Sequence, residues 1–379
     1  MSQRDMVVIG GSAGGLQALA TIVQALPAGL RASVLIVMHS SSNGQGVLPQ
    51  ILERISSLPA TFATDGQVLA RGRIYIAPPD FQLIVRPNRL ALVHGPRENG
   101  FRPAVDPLFR TAAREHGPRV IGVILSGALS DGTYGLSVIK HHGGIAVVQE
   151  PTDAIIPSMP QSAIRYVDVD HVLPAAEIGP LIERLTREPV DGKRSTEMPR
   201  AHEPEPQHAS DKTEVRDMNQ LFGPPSALTC PDCGGALWEV KEGRVLRYQC
   251  HTGHQYAPEN LEAGQRDAVD SALWSAVRVL EEQVELKTRM SNRAAESGLM
   301  VVAKGFAEGA QDARRQAQRI RAILFNGENG NGATRVDAGR RTRTAAKGNG
   351  AKPVPNATPM RNRKKKAARS RTSRHGENS

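Results

Sequence analysis

Residues 6–19, Met-Val-Val-Ile-Gly-Gly-Ser-Ala-Gly-Gly-Leu-Gln-Ala-Leu, constrain the fold more than any other stretch of the chain. An apolar run over 6–9 reaches four glycines enclosing Ser12, and apolar residues at helical spacing (Leu16, Leu19, Ile22, Val23, Leu26) follow at once. The pattern predicts strand, tight turn, helix. Ser12 then stands at a strand's carboxyl end and at a helix N-terminus, where unpaired N–H groups and the positive dipole end favour negative charge. Such a turn can cradle a phosphate, present a serine to an ester, or serve structure alone.

Two observations favour the serine. A dinucleotide fingerprint needs G-x-G-x-x-G, but Ser12 replaces the middle glycine, and its side chain would crowd an approaching pyrophosphate. The second apolar run, 34–38, ends in His39 where a ribose-binding Asp or Glu is expected.

Short apolar runs alternate with helical patterns as far as residue 187. Strands are expected at 7–10, 34–38, 73–77, 82–86, 90–93, 120–126, 145–149 and 171–173, and helices at 16–25, 46–54, 106–116, 132–142, 158–166 and 177–186. Continuous apolar strands joined by helices predict a doubly wound α/β fold, a mainly parallel sheet with helices on both faces. The 73–93 stretch, with turn signals at Pro78-Pro79-Asp80 and Pro87-Asn88, reads as an antiparallel insertion.

The expected organisation is an α/β domain over 1–187, a flexible proline-rich linker over 188–226, a cysteine segment over 227–257, a helical hairpin over 258–326 and a disordered basic tail over 327–379. The net charge of +10 belongs to that tail, where 14 Lys and Arg face three acids. It could meet nucleic acid or an anionic surface, but a solvated tail without aromatic residues for base stacking is the expected reading. No run of ~18 apolar residues occurs, so the expectation is a soluble, cytoplasmic protein without membrane insertion. Oligomeric state is left open.

Serine catalysis needs a base to take the hydroxyl proton and an acid to orient that base. Ser12 and His39 end consecutive strands of one βαβ unit. A third strong strand runs into Leu125-Ser-Gly-Ala-Leu-Ser-Asp131-Gly, which brings Asp131 to a strand end as well. Open α/β sheets bind their ligands at that rim. Taken singly, Ser12 reads as a helix N-cap, His39 as a polar strand end and Asp131 as a turn residue.

Gly10-Gly-Ser12-Ala-Gly-Gly, His39, Arg102-Pro-Ala-Val-Asp106-Pro-Leu-Phe, Leu125-Ser-Gly-Ala-Leu-Ser-Asp131-Gly and Met159-Pro, in this order over roughly 5–187, resemble the CheB family of chemoreceptor protein-glutamate methylesterases. The resemblance implies Ser12 as nucleophile, His39 as general base and Asp131 as orienting acid, with no catalytic cofactor. It implies a methyl-accepting chemoreceptor or related signalling protein as substrate, glutamate γ-methyl esters being hydrolysed to glutamate and methanol, with glutamine deamidation as a second activity. In two places the chain departs from the family pattern. Ala128-Leu129 stands where the family has Met-Gly, at the wall of the oxyanion pocket, and no receiver domain precedes the first strand, so control by phosphorylation in cis is not expected.

All three cysteines lie in a C-x2-C, sixteen-residue, C-x3-H array of Cys230, Cys233, Cys250 and His254. That spacing predicts a closed, structural zinc ribbon, with His251 as the alternative fourth ligand and a hairpin of 237–240 and 245–249 joining the knuckles. A competing function follows from the same features: a catalytically inactive signalling adaptor or nucleic-acid-binding protein that uses the zinc segment and the tail.

Overall fold

The first apolar run is a strand buried along its whole length, β1 (Met6–Gly11), in a computed structural model that describes residues 2–39, 46–190 and 218–330. It is followed by α1 (Gly15–Gln24), β2 (Ser33–Met38), α2 (Leu48–Ile55), β3 (Ala60–Phe62), β4 (Arg73–Ile76), β5 (Gln82–Arg86), β6 (Arg89–Val93) and α3 (Val105–His116). Then come β7 (Val120–Ile124), α4 (Thr133–His141), β8 (Ile145–Gln149), α5 (Ser158–Tyr166), β9 (His171–Leu173) and α6 (Ala175–Arg187).

Seven strands form one parallel sheet in the order β9-β8-β7-β1-β2-β4-β3. Side chains alternate across it. Met6 and Val8 of β1 pack with Leu108, Phe109, Leu136 and Ile139 of α3 and α4, while Val7 and Ile9 pack with Leu19 and Ile22 of α1 and Ile182 of α6. Both faces are thus covered by helices, which explains why the strands read as unbroken apolar runs. Strand order reverses at β1: β2, β4 and β3 extend to one side, and the chain returns to β7 on the other. A ligand crevice is expected at the carboxyl ends on either side of such a point.

The expected antiparallel insertion over 73–93 is corrected in part. β4 joins the parallel sheet beside β2, its Ile74, Tyr75 and Ile76 buried, and only β5 and β6 form an antiparallel hairpin. The Pro78-Pro79-Asp80 turn ends β4 instead of opening an insertion.

After the parallel sheet, α7 (Met218–Phe222) lies within the stretch expected to be linker. It is held there because the Trp238 indole N–H donates to Asn219 Oδ1 and to the Gly223 carbonyl, each at 3.1 Å. A three-stranded antiparallel sheet follows, β10 (Leu237–Glu242), β11 (Val245–Cys250) and β12 (Gln255–Tyr256). Two long helices, α8 (Pro258–Glu296) and α9 (Met300–Gly330), then pack antiparallel, with Ser291 Oγ on the Ala303 carbonyl at 2.8 Å near the turn and Trp274 edge-on to Phe325 near the open end. The disordered tail expected from 327 is corrected at its start, since α9 continues the helix through Gly330; the rest of it, 331–379, and linker residues 191–217 lie outside the described residues. No helix among the described residues is long and apolar enough to cross a membrane.

Candidate active site and Cys/His centre

Gly11 of β1 pairs with Met38 of β2, and the His39 N–H donates to the Gly11 carbonyl at 3.1 Å, so Ser12 and His39 leave adjacent strands side by side. Neighbouring strands run about 5 Å apart, which brings the two residues to one rim. Ser12 does not cap α1. The N-cap is Gly14, without a side-chain cap bond, and the backbone fixes Ser12 instead, its N–H donating to the Ser126 carbonyl at 2.9 Å. Gly127 presses against it. A Cβ at Gly127 would lie 2.9 Å from Ser12 Cβ and 2.1 Å from Met159 Sδ, so only glycine lets the loop after β7 close over the serine.

Asp131, from that same loop, is fully buried and bonds His39 Nε2 through Oδ2 at 2.7 Å. The imidazole is also buried, and it stacks on the Phe101 ring at 3.6 Å between centroids with the planes 10° apart. One side of the ring is therefore held by a carboxylate and its face by an aromatic plane. His39 Nδ1 is buried and makes no hydrogen bond among the described residues, so the Ser12 hydroxyl is not bonded to it in the resting site. Catalytic hydrogen bonds of this kind commonly tighten only when substrate is bound.

Asp131 is itself well held. Its Oδ2 accepts from the Val105 N–H at 2.7 Å, and its Oδ1 accepts from Asn99 Nδ2 at 2.8 Å and, at 3.4 Å, from the Asp106 N–H. No side chain of its own caps α3. Asp131 instead meets the helix's first N–H groups from outside, where the dipole favours a carboxylate. Gly10 permits this approach, since a Cβ there would fall 2.3 Å from Val105. Burial by itself would raise the Asp131 pKa. The His39 bond and charge, with the Val105 and Asn99 donors, outweigh it and hold the group below 3.8.

Asp106 shares the same donor, accepting from Asn99 Nδ2 at 2.9 Å and from the Gly135 N–H at 2.7 Å. Burial, and then the charge on Asp131, push it up to about 8. The two carboxylates therefore act on stability in different pH windows. Between pH 3.8 and about 8 the folded state holds the Asp106 proton that the unfolded chain has lost, so this group makes stability fall as pH rises. Asp131 contributes stability above pH 3.8 that is lost as pH falls through its depressed folded value. Urea midpoints at pH 5 and pH 8 are expected to show a smaller decline for Asp106→Asn than for the parent chain. An equal decline would mean that Asp106 is ionised throughout.

Leu129, where the family pattern has glycine, adopts φ +65°. A leucine held there stores roughly 1–2 kcal/mol of strain. That is comparable to what a half-buried leucine side chain contributes, so Leu129→Gly is expected to shift stability by less than about 1 kcal/mol, against ~2–5 kcal/mol for truncating a core leucine. Denaturant unfolding checks this.

Asn99 and Phe101 were not identified as site residues from sequence, and Asp106 only as part of a family motif. Asn99-Gly100 did carry a signal. Both have positive φ, 55° and 83°, and Glu98 and Phe101 exchange backbone hydrogen bonds around them, the tight hairpin turn that an Asn-Gly pair favours.

The four expected metal ligands also come together. Cys230 Sγ and Cys250 Sγ lie 3.6 and 3.5 Å from His254 Nδ1, Cys233 Sγ lies 3.7 Å from Cys250 Sγ, and all four donor atoms fall within 4.8 Å of one another. A tetrahedral zinc with Zn–S of ~2.3 Å has S···S edges of about 3.8 Å and slightly shorter S···N edges, so the donor set fits. His254, not His251, completes the group.

A doubly wound parallel sheet with a hydroxyl, a buried imidazole and a carboxylate gathered at its carboxyl rim defines the class of this protein as an α/β protein with a strand-end site. The profile of the CheB methylesterase family matches residues 7–182. A Leptospira interrogans protein, provisionally named protein-glutamate methylesterase/protein-glutamine glutaminase, is 40% identical over 182 residues, 48% of this chain and 94% of that protein. The protein-glutamate methylesterase/protein-glutamine glutaminase of Moorella thermoacetica is 38% identical over 186 residues, 48% of this chain but 44% of its own length. A crystal structure of the Thermotoga maritima CheB methylesterase catalytic domain, 32% identical, is covered in full by 49% of this chain, with a TM-score of 0.46. This chain belongs to the CheB methylesterase family.

Proposed function

We propose that the chain is a protein-glutamate methylesterase that hydrolyses glutamate γ-methyl esters on a chemoreceptor or related signalling protein, with Ser12 as nucleophile, His39 as general base and Asp131 as the acid that orients it. The observation that supports this best is the buried His39 Nε2–Asp131 Oδ2 bond at 2.7 Å, which leaves Nδ1, unpartnered among the described residues, as the nitrogen available to Ser12. With Asp131 ionised, Nε2 carries the proton and Nδ1 a lone pair.

In the proposed reaction, Ser12 Oγ attacks the ester carbonyl carbon while Nδ1 takes the hydroxyl proton. Negative charge develops on the carbonyl oxygen beside the start of α1, whose dipole favours it. The C–O bond to the methoxy group breaks, and methanol leaves with the proton from Nδ1. Water then repeats the sequence on the acyl-serine and releases glutamate. An amide in place of the ester would release ammonia, the deamidase activity that the relatives' names pair with esterase activity. The test is methanol release from a methylated chemoreceptor signalling domain incubated with the full chain. Release is expected, and none under conditions where the receptor is fully methylated would remove the substrate assignment.

The Cys/His centre is proposed to hold a structural Zn2+, because its donor spacing fits a closed tetrahedron and no carboxylate belongs to the ligand group. Elemental analysis is expected to find one zinc per chain. In a segment whose small core gathers on Cys230, Leu237, Cys250, Tyr256 and Leu261, the metal would supply much of the folding energy. A metal-free protein would refute the assignment.

A further inference from the structure

The Cys/His module is docked against the wall of the candidate active site, and three of its hydrogen bonds meet at one residue, Asn99. Immediately after the ligand His254, the Gln255 carbonyl accepts the Asn99 N–H at 2.7 Å. The Ala257 N–H donates to Asn99 Oδ1 at 2.8 Å, and Asn260 Nδ2 donates to the Asn99 carbonyl at 3.2 Å. These three bonds take up the backbone N–H, the backbone carbonyl and the side-chain oxygen. What remains is the Nδ2 group, and it donates to Asp131 and to Asp106. Asn99 and Asn260 are both buried, so each of these bonds replaces water that cannot return.

A second strap reaches the loop that carries Asp131. Ser130, the residue before it, donates from Oγ to Asn260 Oδ1 at 2.7 Å. At α4, the Arg247 guanidinium of β11 lies 3.5 Å over the Tyr134 ring and pairs with Glu242, whose carboxylate also accepts the Tyr134 hydroxyl. An Asn-Gly turn standing alone would leave its asparagine amide free to rotate in water. Here the amide is locked in the one orientation that gives Asp131 a donor.

We propose that Asn99 is a positioning residue of the esterase and that the metal-bound Cys/His module sets it, so that the module is required for full turnover. The inference rests on the proposed triad and deepens it by assigning how the orienting carboxylate is itself oriented. Metal at Cys230, Cys233, Cys250 and His254 fixes β12 and the start of α8. Those elements fix Asn99, and Asn99 holds Asp131 against His39. Loss of metal frees Asn99, and the His39 imidazole loses its fixed bearing on Ser12.

The test uses the full chain with two perturbations and two readouts. Asn260→Ala removes the bonds to the Asn99 carbonyl and from Ser130, leaving those of Gln255 and Ala257, and touches neither a ligand nor the triad; a strong chelator removes the metal from the parent protein. Each is expected to lower kcat for methyl-ester hydrolysis about 10- to 100-fold, the cost of a small misplacement of reacting groups. KM should stay within about threefold, since the groups touching substrate are unchanged. Hydrogen exchange of the amides over 98–106 should rise in both cases while that of β1 and β7 stays slow, and added Zn2+ should reverse the chelator's effect only. Parent-like kcat with parent-like exchange in Asn260→Ala overturns Asn260's part in the clamp, and the same result in the metal-free protein overturns the clamp itself. Unchanged kcat and exchange on metal removal, or a purified chain without metal, overturns the metal requirement. If the parent chain hydrolyses no ester while Ser130, Asn99 and their neighbours still gain exchange in Asn260→Ala, the triad reading fails and the clamp stands.

Discussion

Ser12→Ala is expected to abolish ester hydrolysis, with kcat down by roughly 10^4- to 10^6-fold, while stability changes by about 1 kcal/mol or less. The two effects separate because the hydroxyl has no structural duty. The turn is held by backbone bonds, the Ser12 N–H to the Ser126 carbonyl and the Gly15 N–H to the Ser12 carbonyl, and α1 takes its N-cap from Gly14. Alanine preserves each of them. Methanol release and a urea melt on the same preparation give both numbers. Full activity in the variant would remove the nucleophile assignment, and a large loss of stability would mean that the serine serves the fold.

Asp131→Asn is the second large effect, and here activity and stability should fall together. The carboxylate accepts from His39 Nε2 and Val105 N–H on one oxygen and from Asn99 Nδ2 on the other. An amide offers one acceptor, and its NH2 must face a donor in either orientation. If the NH2 faces Val105 and His39, the imidazole turns its other tautomer toward Ser12, and Nδ1 no longer has a lone pair for the hydroxyl. A loss of roughly 10^4-fold in kcat is expected from the wrong tautomer. The buried N–H left without an acceptor at the start of α3 should cost about 1–3 kcal/mol. Retention of kcat within tenfold would show that Asp131 acts on structure alone.

The rim of this site was legible because each of its three groups ends a strand whose burial on both faces leaves a run of apolar residues. Ser12, His39 and the loop to Asp131 could be assigned to strand ends from those runs and from the glycines that follow. β3 was missed because Ala60-Thr-Phe is too short to show a period, and its place beside β4 depends on partners far along the chain. The Cys/His centre was legible from its spacing, since two C-x2-C-like turns joined by a hairpin leave few other ways to use every cysteine.

The wall behind Asp131 was not legible. Asn99 meets Asn260 across 161 residues, and no periodicity or local motif marks a contact between a tight turn and the first turn of a distant helix. Reading the cysteine segment as a separate unit followed from its composition. The buried polar bonds at Asn99, Ser130 and Tyr134 join it to the α/β domain. Polar residues that look solvated in sequence form this interface, which is why composition misses it.

The most direct measurement is covalent trapping of the nucleophile. The full chain would be incubated with a phosphonate ester that reacts only with activated serines, and the adduct located by mass spectrometry of the digested protein. One adduct per chain on Ser12, absent when His39 is replaced by alanine, is the predicted result. An actively hydrolysing protein that carries the adduct on another residue, or labels Ser12 equally well without His39, would contradict a hydroxyl and an imidazole working together at the end of β1.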